Sequence, residues 1–429
     1  MPYTDMIKSA SEYLFECQKD DGGIAFSNRN DALSGVWTTA EVLEAMLLHN
    51  QINRGLSTLD ELIHMVQYLL NKFIICKDGT NTGYWEDVDG NGPSTTSTGH
   101  TIYSLQTFSN IYLENSKVSY IEFDIDESID LKKLKQRIRS CIEKGINWLL
   151  DNQQADKGWC WTEKNDKEES KVLCTFYVLK GMNAIGSNEN SRSVEKACLF
   201  IKETIEDELN RKVEQLNEKQ RIRCLAYIMY GYIALLESKY LKQGDINLKD
   251  RIMNYIKHNC KNLSNYIDSK KIQERNFVYN IPYIALNVFL RTEEYTFKNE
   301  IVRLLDYFQK QKDKYGYWEV EKNGIKETTW VTAEAMIVLS LAQSNYIKFK
   351  NNVLMPQKQR RLKKILLITT FTTSVLLSIL IWHYLFLSFT NYEINPPSTF
   401  SIISAVFSGF VSVVGFISSI ITLVEHFKK

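Results

Sequence analysis

Four short stretches of this chain share one layout: CQKDDGGIAF (17–26), CKDGTNTGYW (76–85), NQQADKGWCW (152–161) and QKQKDKYGYW (309–318). Each closes an amphipathic stretch with a polar, Gly-containing turn that runs into an aromatic; a short polar loop and a second apolar helix follow. Recurrence on this scale marks stacked units, because a single helical hairpin cannot bury its apolar face alone. Two further helix pairs, roughly 191–238 and 246–291, keep the hairpin pattern without the turn and bring the count to six. Strand-like alternation is scarce and Pro is nearly absent from the helical stretches. The expected class is therefore all-α, with six helical hairpins closing into a ring.

The turn chemistry is consistent with that reading. Asp21, Asp78 and Asp156 are placed to cap or turn the backbone, and Gly22, Gly79 and Gly158 to accept unusual dihedrals. Trp85, Trp159, Trp161 and Trp318 are placed to pack over the neighbouring turn. These turns resemble the Q-x-x-D-G-x-W repeats of the terpenoid cyclase and protein prenyltransferase superfamily. The resemblance covers nearly all of residues 1–350. It implies an (α/α)6 toroid of inner and outer helices, and it says little about chemistry, since one fold hosts many functions.

If the second helix of each pair lines the ring, the inner segments are EVLEAM from Glu41, HTIYSL from His100, CTFYVL from Cys174, CLAYIM from Cys224, NIPYIA from Asn280 and EAMIVL from Glu334. One turn after that first column stand Glu44, Tyr103, Tyr177, Tyr227, Tyr283 and Ile337, on the same helical face. The second, third and sixth columns are mainly aliphatic or aromatic and suit packing on the outer helices. The two other columns are expected to face a cavity with a tyrosine belt (Tyr103, Tyr177, Tyr227, Tyr283) and a polar ring (Glu41, Glu44, His100, Cys174, Cys224, Asn280, Glu334).

Protein prenyltransferases of the resembled superfamily hold zinc with an Asp and a Cys two residues apart plus a His in an HTCYCL-like helix. HTIYSL at His100 is similar to the last of these. Val172 and Ile222 stand where the carboxylates before Cys174 and Cys224 would be, so the set is incomplete. No cofactor is expected, and zinc is kept as the alternative. Class II cyclases use a D-x-D-D acid. The nearest string, DIDES (124–128), lies in a polar insertion rather than at an inner helix, and reads as a solvated acidic loop. Glu41 and Glu334 are better acids: they sit in the near-identical WTTAE and WVTAE of the first and sixth hairpins and become neighbours when the ring closes. Helix-start capping and repeat ancestry explain that likeness equally well. Glu41, Glu334 and His100 are the candidate catalytic set. No G-x-S-x-G elbow, phosphate-binding Gly-rich loop or H-E-x-x-H is found.

Beyond residue 350 the composition changes. A basic linker (351–364) leads into 365–389, which contains no Asp, Glu, Lys or Arg; a loop (390–399), a second uncharged stretch (400–424) and a basic tail (425–429) follow. Both stretches exceed the roughly 20 residues that span a bilayer, so they are expected as a transmembrane hairpin. The flanking bases place the toroid and the C-terminus in the cytosol and the loop outside, giving a multi-pass protein of the cell membrane. Ser404, Ser408, Ser412, Gly415 and Ser419 form a small-residue stripe suited to packing or homo-oligomerisation. His383 is expected near a boundary or a packed face. Eight scattered cysteines without a CxxC pair read as reduced thiols, and the N-terminus lacks the basic start and apolar run of a secretory signal. With 52 Lys+Arg against 51 Asp+Glu, a net charge of +1 offers no field for nucleic acid.

Three functions follow as expectations. The first is a membrane-anchored toroid that binds an apolar (isoprenoid or lipid) or peptide ligand without the standard cyclase or zinc chemistry. The second is an isoprenoid-processing transferase or cyclase at the membrane, with the tyrosines offering π faces to a cation. The third is a membrane-permeabilising effector regulated by the toroid.

Overall fold

A computed structural model of the chain describes residues 3–27, 32–52, 59–77, 81–114, 130–163, 168–186, 191–211, 216–241, 246–267, 280–292, 298–322 and 325–345, together with 379 and 383. The chain divides into two units, Met1–Phe349 and Lys350–Lys429.

The first unit carries twelve α-helices among its described residues. In chain order they are α1 (Thr4–Glu16), α2 (Val36–Ile52), α3 (Leu59–Asn71), α4 (Thr95–Phe108), α5 (Leu131–Asp151), α6 (Val172–Ile185), α7 (Ser191–Asn210), α8 (Glu218–Glu237), α9 (Ile246–Ile267), α10 (Ile281–Thr292), α11 (Lys298–Gln311) and α12 (Thr329–Ser344). The even-numbered helices pack in the closed order α2, α4, α6, α8, α10, α12 and back to α2. The odd-numbered helices back onto them from outside, as α5 does on α4 and α7 on α6 and α8. The ring of six hairpins thus closes.

Composition explains the two layers. Outer α5 buries Leu134, Ile138, Cys141, Ile142, Ile146 and Leu149, a stripe at helical spacing, and leaves its other face to solvent. Inner α6 is buried on every side from Val172 to Met182, so polar residues on such a helix are enclosed and must find partners within the ring. Helix starts are fixed locally: Asp130 caps α5 through the N–H groups of Lys132 and Lys133, and Asn217 and Gln220 form a reciprocal capping box on α8.

The turns that announced the repeat share one construction. A threonine on the following inner helix accepts the N–H of the residue closing the turn: Thr39 from Ile24, Thr98 from Trp85, Thr175 from Trp159 and Thr332 from Trp318, at 2.9–3.1 Å. Three indoles then donate to outer-helix carbonyls, Trp85 to Leu69, Trp159 to Leu149 and Trp318 to Phe308. Asp21 and Asp156 turn the backbone as expected, accepting from the N–H groups of Gly23 and Gly158; Asp78 and Gly79 lie outside the described residues. Two expectations are corrected. The left-handed position of the third turn falls on Lys157 (φ 80°), one residue before Gly158. Trp159 fills the packing site, while Trp161 is 38% exposed, because the fixed spacing runs from the turn to the threonine and leaves Trp161 beyond it.

Inner helices α4 and α6 touch backbone to backbone. A Cβ on Gly181 would lie 2.4 Å from the carbonyl oxygen of Gly99, and one on Gly99 would lie 2.6 Å from that of Tyr177. Both neighbouring atoms are main chain, which cannot swing aside. Gly181→Ala is therefore expected to destabilise the protein by about 1–3 kcal/mol, the usual range for overpacking, read as a lower midpoint in urea denaturation. The contact also sets His100, Tyr177 and Lys180 side by side.

Membrane location is corrected. No helix among the described residues is long and apolar enough to cross a membrane, so the multi-pass location does not stand. The stretches 365–389 and 400–424 lie outside the described residues except for Ile379 and His383, which are helical and exposed. The DIDES string also lies outside them.

Candidate functional site

The threonine anchors fix the axial register of the ring. Two residues after Thr39, Thr98, Thr175 and Thr332 stand Glu41, His100, Tyr177 and Glu334, so these four share one level. One turn on are Glu44, Tyr103, Lys180 and Ile337. The sequence register of α6 was therefore one turn out: Tyr177, not Cys174, is the level partner of His100, and Lys180 is the level partner of Glu44. The Thr-x-Glu/His/Tyr spacing after each turn carried this signal.

Lys180 is the centre of the upper level. Its ammonium lies 2.6 and 2.5 Å from the two oxygens of Glu44 and 4.5 Å from the centroid of Tyr103. His100 Nε2 is 2.8 Å from Glu44 Oε2. Glu44, Lys180 and His100 are all buried. Burial pushes the Glu44 carboxyl up, but Lys180 and then His100 outweigh it and hold the pKa at about 2. Burial also pulls Lys180 down, and Glu44 more than reverses this. Burial lowers His100, so its imidazole is neutral, donates from Nε2–H to Glu44, and presents Nδ1 as an acceptor. A fixed carboxylate thus selects the tautomer.

Nδ1 faces Glu41 Oε2 at 3.4 Å. Neither atom has a hydrogen-bond partner, and both are buried. Burial, then Glu44, raises the Glu41 carboxyl to about 8 against the pull of Lys180. Glu334 is raised well above its ordinary value by burial and then by Glu41, and Asn280 Nδ2 donates to its Oε2 at 2.8 Å. Glu41 is therefore mostly protonated at pH 7, and Glu334 is pushed in the same direction. Around them stand Trp37, 4.6 Å from Tyr177 and 5.8 Å from His100 between centroids, and Phe176 and Tyr230 at 5.2 Å from each other. The Tyr177 and Tyr283 hydroxyls are raised by burial and by Glu41 and Glu334, which places them beside the acid pair. Near by, Tyr283 accepts from Asn287, Asn287 from Arg291, and Arg291 pairs with Glu237 at 2.7 Å.

No family model matches this chain. No curated protein matches either. Among solved structures, an α-1,6-mannanase of Salegentibacter sp. HEL1_6 in complex with α-1,6-mannotriose is 8% identical, with a TM-score of 0.49 over 79% of this chain and 98% of its own. A type II terpene cyclase of Scytonema in complex with merosterolic acid A is 13% identical, with a TM-score of 0.32 over 80% of this chain and 96% of its own. Likenesses this distant leave the chemistry to the residues themselves.

The structure brings together Glu41, Glu44, His100, Tyr103, Tyr177, Tyr283, Asn280 and Glu334. It separates Cys224, whose thiol is 2.7 Å from Glu208 on outer helix α7, and Cys174, which lies with Cys160 and Thr95 at the start of α6. Tyr227 is half-buried beside Arg223, and Tyr230 takes its place near Tyr177. The cysteines turn away because α6 and α8 are shifted from the sequence register, so the zinc set anchored on His100 does not assemble. Glu41, Glu44 and His100 do place three donor atoms within 4.8 Å of one another. Glu44, however, holds the opposite ring nitrogen from the one facing Glu41, and Lys180 already supplies its counter-charge. An ion drawing on all three would have to displace Lys180 from Glu44 and break the Glu44–His100 hydrogen bond. Sequence reading missed Lys180, Trp37, Arg291, Glu237 and Asn287; a buried lysine inside VLKGM of an otherwise apolar helix was the available signal for the first.

Proposed function

We propose that the ring interior is the binding site for an apolar, isoprenoid-like or peptide ligand, held without the standard cyclase or zinc prenyltransferase chemistry. One observation carries the reading. Glu41 Oε2 and His100 Nδ1 are buried, face each other, and lack hydrogen-bond partners, whereas buried polar atoms in native proteins are nearly always satisfied. Trp37 and Tyr103 on inner helices are half-buried, and the surrounding rings supply an apolar wall. Native mass spectrometry of the purified protein is expected to show a retained small molecule or peptide that denaturation releases. A protein that is empty, and whose melting temperature does not move with geranylgeraniol, octanol or an apolar peptide, overturns the reading.

A second reading, an isoprenoid-processing enzyme, is favoured by one feature: Glu41 is a buried neutral acid beside a neutral imidazole, able to give or take a proton in a dry site. Glu41→Gln and Glu334→Gln are then expected to lower turnover of an allylic diphosphate at least a hundredfold, the usual contribution of a general acid. Wild-type protein without turnover excludes it.

A further inference from the structure

We propose that the acid pair Glu41 and Glu334, walled by Trp37, Tyr177 and Tyr283, seats the ammonium of a primary amine whose apolar body lies along the aromatic face of the ring. This deepens the interior-binding reading and rests on it.

The argument begins with unmet hydrogen bonds. Glu41 Oε2 and His100 Nδ1 are 3.4 Å apart, enclosed and unpartnered. The Glu44–Lys180 pair commits the only N–H of the imidazole to the other side, so what faces Glu41 is an acceptor. Neutral Glu41 has one O–H to offer Nδ1 across 3.4 Å; once Glu41 ionises the corner holds acceptors only, so a ligand that binds the carboxylate must bring the donors. An alcohol brings one donor and adds an acceptor. A quaternary ammonium brings charge and no donor. A primary ammonium brings three N–H donors and no acceptor.

Charge points the same way. Glu44 is balanced by Lys180 at 2.5 Å and Glu237 by Arg291 at 2.7 Å. Among the described residues no lysine or arginine pairs with Glu41 or Glu334, and each can ionise once a cation arrives. Two such carboxyls beside Trp37, Tyr177 and Tyr283 form the combination that attracts ammonium groups, an aromatic wall plus an anion. The groups facing Glu41 are Glu44 on its own helix, His100 from α4, Tyr177 and Lys180 from α6, Tyr283 from α10 and Glu334 from α12. Lys180 is the only cation among them, and Glu44 holds it.

The test uses full-length protein and calorimetric titration with octylamine, octanol and octyltrimethylammonium. Octylamine is expected to bind at least tenfold tighter than either analogue, with about one proton released per molecule at pH 7, and its affinity is expected to rise about tenfold from pH 6 to pH 7. Glu41→Gln is expected to bring octylamine down to the octanol value without proton release; Glu334→Gln serves as the second variant should the first fail to fold. Equal affinities for octylamine and octanol overturn the amine seat and leave interior binding standing. Unchanged amine preference in both Gln variants also overturns it. If neither compound binds, the amine seat falls, and the native mass spectrum then decides the interior reading independently.

Discussion

Lys180→Met is expected to be the most damaging single substitution within the ring. Lys180 and Glu44 are each about 95% buried, and their side chains meet at 2.5 Å. Removing one partner of such a pair strands the other charge in a medium that solvates it poorly, which costs about 3–5 kcal/mol. Glu44 would retain His100 Nε2, so the expected loss lies nearer the lower end. Two further measurements identify the cause. Lys180→Met/Glu44→Gln should recover most of the loss, because the uncompensated charge is gone. The single variant should also gain stability relative to wild type as the pH falls, since its unpaired Glu44 can take up a proton that the wild-type carboxylate resists. A double variant as unstable as the single one would mean that the packing of the lysine stem, rather than its charge, matters.

The ring was legible in the sequence because its determinants are local. A polar turn, an aromatic and a threonine at fixed spacing recur in one chain, and each makes its bonds within or next to its own hairpin, as Trp159 does with Thr175 and Leu149. The nearness of Glu41 and Glu334 was legible by another route: WTTAE and WVTAE repeat within the chain, and closure of the ring makes their helices adjacent, as the packing of α2 on α12 shows. The ion pair was not legible. Glu44 and Lys180 are 136 residues apart, and their meeting depends on the height of α6 against α4. That height is set by Gly99 and Gly181 in backbone contact, a feature with no periodic signature. An alignment by side-chain type put Cys174 level with His100, whereas the hydrogen-bonding threonine puts Tyr177 there. Side-chain likeness misled where the anchor did not.

Glu41→Gln and Glu334→Gln should each remove that residue's share of the pH dependence of stability that the acid pair imposes. Burial raises both carboxyls in the folded state, helped by Glu44 at Glu41, which reaches about 8, and by Glu41 at Glu334, while the unfolded chain titrates near the ordinary value of about 4.3. Between those limits the folded protein holds protons that the unfolded chain has lost, so stability falls as the pH rises. The contribution is complete below about pH 4.3 and, for Glu41, is lost by about pH 8, with a slope approaching 1.4 kcal/mol per pH unit for each group. Glu44 acts in the opposite window: its lowered pKa adds stability above about pH 4.3 that disappears as the pH falls toward about 2. A neutral amide cannot ionise. Each Gln variant should therefore match wild type near pH 4.5 and become progressively more stable than it up to pH 8, measured by urea denaturation at half-unit steps. A constant offset between variant and wild type across that range would mean that Glu41 is ionised throughout, stabilised by a counter-charge. In that case the unpartnered oxygen of Glu41 would be a resting anion, and an arriving ammonium would bind without releasing a proton.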